Sequence, residues 1–190
     1  MNRRFFKYRP VRTASQLSFV REVIVEGKLY LARPLHFSDP LDAVTSHFTD
    51  GDVPAVLSLT EHGDSRLLWA YYGGWFRGVM IELELSLTTA PFDGLQKVSY
   101  IADDADLFER IANRDLFAKA HEFAHEGEWR LPYIGGESHL SLPLNSVKSV
   151  TLGPALLPDF REAITQMCAS ANVGVQEYRP KLVGSGDRAR

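Results

Sequence analysis

The chain has 190 residues, 45% of them hydrophobic and 11% aromatic, with a formal charge of −3 at pH 7. That apolar content is enough for one buried core of ordinary domain size, and the slight acidity gives no basic footprint of a dedicated nucleic-acid binder. Cys168 is the single cysteine, which excludes an internal disulfide framework and a thiolate zinc cage. The opening MNRRFFKYRP carries no apolar run of the signal-peptide kind. No stretch approaches the roughly 20 apolar residues that cross a bilayer, so a cytoplasmic protein with no membrane partner is expected.

In chain order, Arg4 to Arg9 predicts a strand that Pro10 stops. Leu17, Val20, Val23 and Ile24 recur at helical spacing over Ala14 to Glu26, with Ser15 as the expected cap and Gly27 at the helix end. Leu29 to Arg33 predicts a strand that closes on the loop HFSDPLDA, where Asp39 and Asp42 suit turn and cap roles. Ala55 to Thr60 is the next strand, and Asp64 or Ser65 caps a short helix ending at Tyr72 before Gly73-Gly74. Gly78 to Leu85 alternates most clearly, Val79, Ile81, Leu83 and Leu85 against Met80, Glu82 and Glu84.

A strand is expected over Val98 to Ile101 and a helix from Asp106 to about His125, with Phe108, Ile111, Leu116, Ala120 and Phe123 on its apolar side. Strands follow over Glu128 to Tyr133 and Val147 to Leu152, then a helix over Asp159 to Ser170 and a strand over Val173 to Arg179. Strands mixed with segregated helices predict an α+β fold. The expected organisation is a single domain over 1–183, a split mixed or antiparallel sheet with flanking helices, and a disordered tail over 184–190.

The order of several blocks resembles the bacterial domain-of-unknown-function 2971 family. The blocks are KYRP at 7–10, LYLARPLHFSDPLDA at 29–43, VLSLTE at 56–61, LWAYYGGWFRGVMIELEL at 68–85 and VSY at 98–100. Lys119, EGEWRL at 126–131 and VKSVTLGP at 147–154 complete them. The chain departs from that pattern at Ser38, Tyr71 and Phe123. The family description carries no activity, so the chemistry rests on the residues.

Two readings compete in KAHEFAHEGEWRL, residues 119–131. In the first, His121 and His125 share a helix face as zinc ligands beside Glu122, a general base toward metal-bound water. Glu126 follows where an uncharged residue is usual, and Gly127 breaks the helix within two residues. In the second, Glu126, Glu128 and Arg130 alternate onto one side of a strand while Trp129 anchors the other. An arginine strand (Arg9), a Ser-x-Thr strand (Ser58, Thr60) and a Glu-x-Glu strand, in that order, look like the layout of ADP-ribosyltransferases. That likeness implies that Arg9 and the hydroxyls hold NAD, with Arg130 beside them. It also implies that Trp69 or Tyr72 stacks on nicotinamide and that Glu128 stabilises the charge developing on the ribose, with Glu126 and Lys119 in the same site.

The leading expectation is therefore an NAD-using ADP-ribosyltransferase-like enzyme of defence or toxin type, with NAD as substrate and no metal. A metal-dependent hydrolase is the first alternative, by zinc through HEFAH or by magnesium among Asp39, Glu126, Glu128 and Lys119. A noncatalytic nucleotide-binding or protein-interaction module is the second. Gly73-Gly74 and Gly135-Gly136 lack the lysine and hydroxyl of a phosphate-binding loop, and Cys168 reads as inert core.

Overall fold

The computed structural model describes residues 1–33, 37, 55–135 and 137–180. Asp39 and Asp42, and the tail expected over 184–190, lie outside them. The described residues build an α+β fold. Its strands are β1 (Asn2–Pro10), β2 (Lys28–Tyr30), β3 (Ala55–Thr60), β4 (Gly78–Ser86), β5 (Gln96–Lys97), β6 (Ser99–Ile101), β7 (Ala118–Ala120), β8 (Glu128–Tyr133), β9 (His139–Ser141), β10 (Val147–Leu152) and β11 (Gly174–Glu177). Its α-helices are α1 (Ala14–Ile24), α2 (Arg66–Tyr71), α3 (Asp104–Ala112) and α4 (Pro158–Ser170).

A mixed sheet runs β11-β10-β4-β1-β3-β8-β5, antiparallel except where β11 joins β10. The period-two pattern of β4 sets its main face. Val79, Ile81, Leu83 and Leu85 are at most 1% exposed, and they pack with Phe5, Leu57, Leu59 and Leu131 under Val20, Val23 and Ile24 of α1 and Ile164 and Cys168 of α4. The opposite face carries a smaller cluster of Tyr8, Leu68, Trp69 and Met80, joined by Phe76 and Tyr178. Among the described residues, no helix is long and apolar enough to cross a membrane.

One seam in this sheet is open. β1 pairs with β4 through nine residues, from Asn2↔Ser86 to Pro10↔Gly78, yet meets β3 only at Phe6↔Thr60. The far end of β3 pairs instead with Ala32, through backbone bonds of 2.8 and 3.0 Å to Val56. Among the described residues, the edge of β3 around Ser58 that faces β1 is thus left without a strand partner.

Several local expectations need correction. Thr13, not Ser15, caps α1 by accepting from the Gln16 amide, while Ser65 does cap α2. The predicted helix over 106–125 is α3 alone, with Leu107 and Ile111 buried and Phe108 exposed. Arg114 takes a left-handed φ of 62°, and the Asp115 carboxylate accepts from the Phe117 amide at 2.9 Å, an Asx-type turn that reverses the chain. Lys119 therefore lies on β7, parallel to β6, and HEFAH forms a 3-10 turn over His121–Glu126.

Gly127 ends that turn at φ 51°. A side chain there would be strained in backbone, and its Cβ would meet His62 Nε2 at 2.4 Å. Since a non-glycine residue in the left-handed region costs about 1–2 kcal/mol, Gly127→Ala is expected to lower unfolding stability by at least that much. Gly174→Ala is the control, because its Cβ would find its nearest neighbour 3.5 Å away. Urea unfolding midpoints for the two variants check this, and equal midpoints would contradict it.

Candidate functional site

The open seam holds a cavity of about 250 Å³, among whose lining residues are Phe6, Lys7, Tyr8, Arg9, Phe37, Ser58, Thr60, Tyr72, Lys119, Glu126, Glu128 and Arg130. The register explains how so many polar groups reach one place. Thr60 and Ser58 stand opposite Glu128 and Arg130 on β8, and Phe6 stands opposite Thr60, so all five share the face of the smaller cluster. Lys7 and Arg9 stand opposite Ile81 and Val79, so strand alternation assigns them to the main core face. Only an interrupted sheet lets both sets line one cavity. The Lys7 Nζ donates to the Ser58 carbonyl at 2.5 Å, occupying part of the edge that a neighbouring strand leaves bare.

Four buried charges form one wall. Arg130, 1% exposed, donates from Nε and Nη2 to the two Glu128 oxygens, each at 2.9 Å, and from Nη1 to the Leu116 carbonyl at 2.7 Å. Its guanidinium lies 5.2 Å from the centre of the Phe37 ring. The Lys119 ammonium donates to Glu126 at 2.6 Å and to Glu128 at 3.2 Å, and sits 4.7 Å from the centre of the Phe123 ring. Tyr72 donates its hydroxyl to Glu126 at 2.6 Å, and Thr60 donates to the Glu126 carbonyl at 2.5 Å. The Tyr100 hydroxyl accepts from the Glu128 amide at 2.8 Å and so docks the β6–β7 ribbon, with its Lys119, against β8.

Burial, the largest influence on Glu128, pushes its carboxyl upward. Arg130, Lys119 and the Ser58 hydroxyl more than reverse that, holding it at about 2 against an ordinary 4.5. Glu128 is therefore anionic at every working pH, a group for stabilising positive charge rather than for moving protons. Arg9 contrasts with this wall. It lines the cavity, its Nε is buried without a hydrogen-bond partner, and among the described residues no carboxylate pairs with it. The nearby Glu22 bonds His139 instead.

The site residues expected from sequence fall out as follows. Arg9, Ser58, Thr60, Tyr72, Lys119, Glu126, Glu128 and Arg130 line the same cavity. Arg130 reaches it mainly as the partner that positions Glu128. Trp69 does not line it. Leu68 and Tyr72, four residues apart on the α2 segment, face the cavity, while Trp69 is turned about 100° away and stacks on Phe76 in the smaller cluster, fully buried. Glu61 serves outside the cavity, bonded to Arg3, Lys97 and the Trp129 ring nitrogen.

His121 and His125 share no face, since residues four apart in a 3-10 turn diverge by about 120°. His125 turns Nδ1 to the Glu122 carbonyl at 2.9 Å. Among the described residues, no three His, Cys, Asp or Glu side chains converge as metal ligands. The reading of the sequence missed Lys7. The available signal was a lysine and an arginine at the alternation positions that β1 otherwise gives to Phe5 and the core.

Comparisons of the chain with protein-family models, with curated proteins and with solved structures found no match.

The Glu128 carboxyl makes stability depend on acid in a definite direction. Its folded value lies below its unfolded one, so its contribution is complete above about pH 4.5 and disappears as the pH falls toward 2. By linkage this is on the order of 3 kcal/mol. Glu128→Gln leaves Arg130 and Lys119 short of a counter-ion, so the variant is expected to be about 3–5 kcal/mol less stable at pH 7. It should also lose stability less steeply between pH 5 and 2. Urea unfolding at several pH values tests both, and parallel profiles for the two proteins would refute the assignment.

Proposed function

We propose that the cavity binds NAD and that the protein transfers ADP-ribose from it, releasing nicotinamide. The observation that carries this reading is Arg9, a guanidinium in the cavity wall whose buried Nε has no hydrogen-bond partner among the described residues, in the same cavity as a carboxylate held permanently ionised. An unmet buried donor costs about 1–3 kcal/mol, a cost that an anionic ligand removes. Pyrophosphate is such a ligand, and arginine suits it through bidentate contacts.

The second requirement of the reaction is negative charge beside C1′ of the ribose, where positive charge develops as nicotinamide leaves. Glu128 supplies that charge without needing to lose a proton first. Phe6 and Tyr72 in the cavity lining offer faces for a flat ring. At about 250 Å³ the cavity is below the range of about 300–1,000 Å³ that encloses drug-sized ligands. The nicotinamide-ribose half is assigned to it, with the remainder of the dinucleotide across the mouth. The order of Arg9, Ser58 and Glu128 along the chain, like that of ADP-ribosyltransferases, supports the same reading.

Isothermal titration with NAD and chromatographic assay of released nicotinamide test it. Wild-type protein is expected to bind NAD saturably and release nicotinamide. Arg9→Gln is expected to weaken binding by about 10–100-fold, the scale of a charge-assisted hydrogen bond, with little loss of folding stability because the Arg9 Nε makes no hydrogen bond among the described residues. Glu128→Gln is expected to remove release. Absence of both binding and release at millimolar NAD would overturn the proposal, and stoichiometric zinc in the purified protein would favour hydrolysis instead.

A further inference from the structure

Among the described residues, the charge network of the cavity leaves two cations, Lys7 and Arg9, out of its balance. Lys7 projects into the seam, where its Nζ meets the Ser58 carbonyl at 2.5 Å, a neutral acceptor rather than a carboxylate. Sharing the cavity with it are Arg9 on its own strand, Glu128 and Arg130 from β8, Lys119 from β7, Glu126 from the 3-10 turn and Tyr72 at the end of α2. Lys119 and Arg130 are matched in charge by Glu126 and Glu128, so the cation that remains against Lys7 is Arg9. Burial first, and then Arg9, bring the Lys7 ammonium from 10.5 down to about 7, against the opposing pull of Glu128.

Resting on the NAD reading above, we propose that Lys7 is the general base of this cavity, the group that takes the proton from the nucleophile attacking C1′ of the ribose. The neutral amine donates one N–H to the Ser58 carbonyl, which fixes the nitrogen and leaves its lone pair for the cavity. As the nucleophile's oxygen or nitrogen bonds to C1′, the C1′–N bond to nicotinamide breaks and its electron pair leaves with the ring. The nucleophile's proton passes to the Lys7 nitrogen, which returns it to solvent. The carboxylates of the site are poorly suited. Glu128, held at about 2, is too weak a base, and the Glu126 oxygens already accept from Tyr72 and Lys119. No histidine lines the cavity among the described residues.

NAD hydrolysis, with water as the nucleophile, is the assay. Log kcat for the wild type is expected to rise with unit slope from pH 5 to about 7 and then level. Lys7→Met is expected to lower kcat at pH 8 by about 100-fold or more, the usual scale for a lost general base. It should leave KM for NAD within a few-fold and abolish the slope. Lys7→Arg, which keeps the charge but cannot give up its proton, should be equally slow. A Lys7→Met protein that hydrolyses NAD at the wild-type rate with the wild-type pH profile would overturn the proposal and leave the NAD reading standing.

A second measurement separates the two if wild-type protein does not act on NAD. Acylation by acetic anhydride, followed residue by residue by peptide mass spectrometry across pH 5 to 11, reads the Lys7 amine directly. A midpoint near 7 at Lys7 keeps Lys7 as the base of this cavity for a different substrate. A Lys7 midpoint near 10 overturns its role whatever the substrate.

Discussion

Burying charges is costly unless each ion meets a counter-ion and its remaining hydrogen-bonding capacity is used. Lys119, Glu126, Glu128 and Arg130, all 8% exposed or less, meet that condition only together. Among the described residues, two cations and two anions cancel, and Tyr72, Thr60, Tyr100 and the Leu116 carbonyl take up further positions around them. The participants come from β3, β6, β7, β8, the 3-10 turn and the end of α2. The network therefore ties the β6–β7 ribbon and α2 to the sheet. It also keeps two carboxylates ionised at the wall of a cavity, which an apolar contact cannot do.

The cavity exists because the sheet is not closed between β1 and β3. A ladder continued beyond Phe6↔Thr60 would pair the Ser58 edge and leave no gap for Lys7 and Arg9 to enter. Ala32 takes the far end of β3, so the gap is bounded by paired backbone at both ends rather than being a frayed edge. The main core beneath is continuous, with β4 carrying four fully buried aliphatic side chains against both α1 and α4. Rigid packing on one face thus supports polar chemistry drawn from both faces, the arrangement a binding site needs if its groups are to keep their geometry.

What could be read from sequence follows from which signals are local. Strand alternation is local, and it placed Glu128 and Arg130 on one side opposite Trp129, though it could not tell a solvated side from a buried one. Glu126, expected on the same strand, reaches the cavity from the 3-10 turn instead. The reversal at Arg114 and Asp115 is also local, but the apolar spacing from Phe108 to Phe123 imitates a continuing helix. That imitation carried Lys119, His121 and His125 onto a helix they do not occupy. Lys7 was illegible for a different reason. Its parity assigns it to the core face, and only the pairing partners of distant strands reveal that β1 and β3 part beside it. Trp69 was misplaced by one step around α2, where a change of about 100° separates a ring that faces the cavity from one that packs behind it.

The charge arrangement also constrains the chemistry that the cavity can host. Among the described residues, the balanced network contributes no net charge, which leaves Lys7 and Arg9 as the cations without a carboxylate partner. Arg9 is always charged, whereas Lys7 is held near the point where its charge is optional. A ligand carrying negative charge at one end suits Arg9, and a reacting centre that becomes positive suits Glu128, within the same cavity. With Lys7 neutral, the cavity holds one uncompensated cation and an available lone pair. With Lys7 protonated, it holds two uncompensated cations and no base. On the proposed reading, proton transfer at this single nitrogen changes both the affinity for an anion and the capacity to activate a nucleophile, coupling the two through one titration.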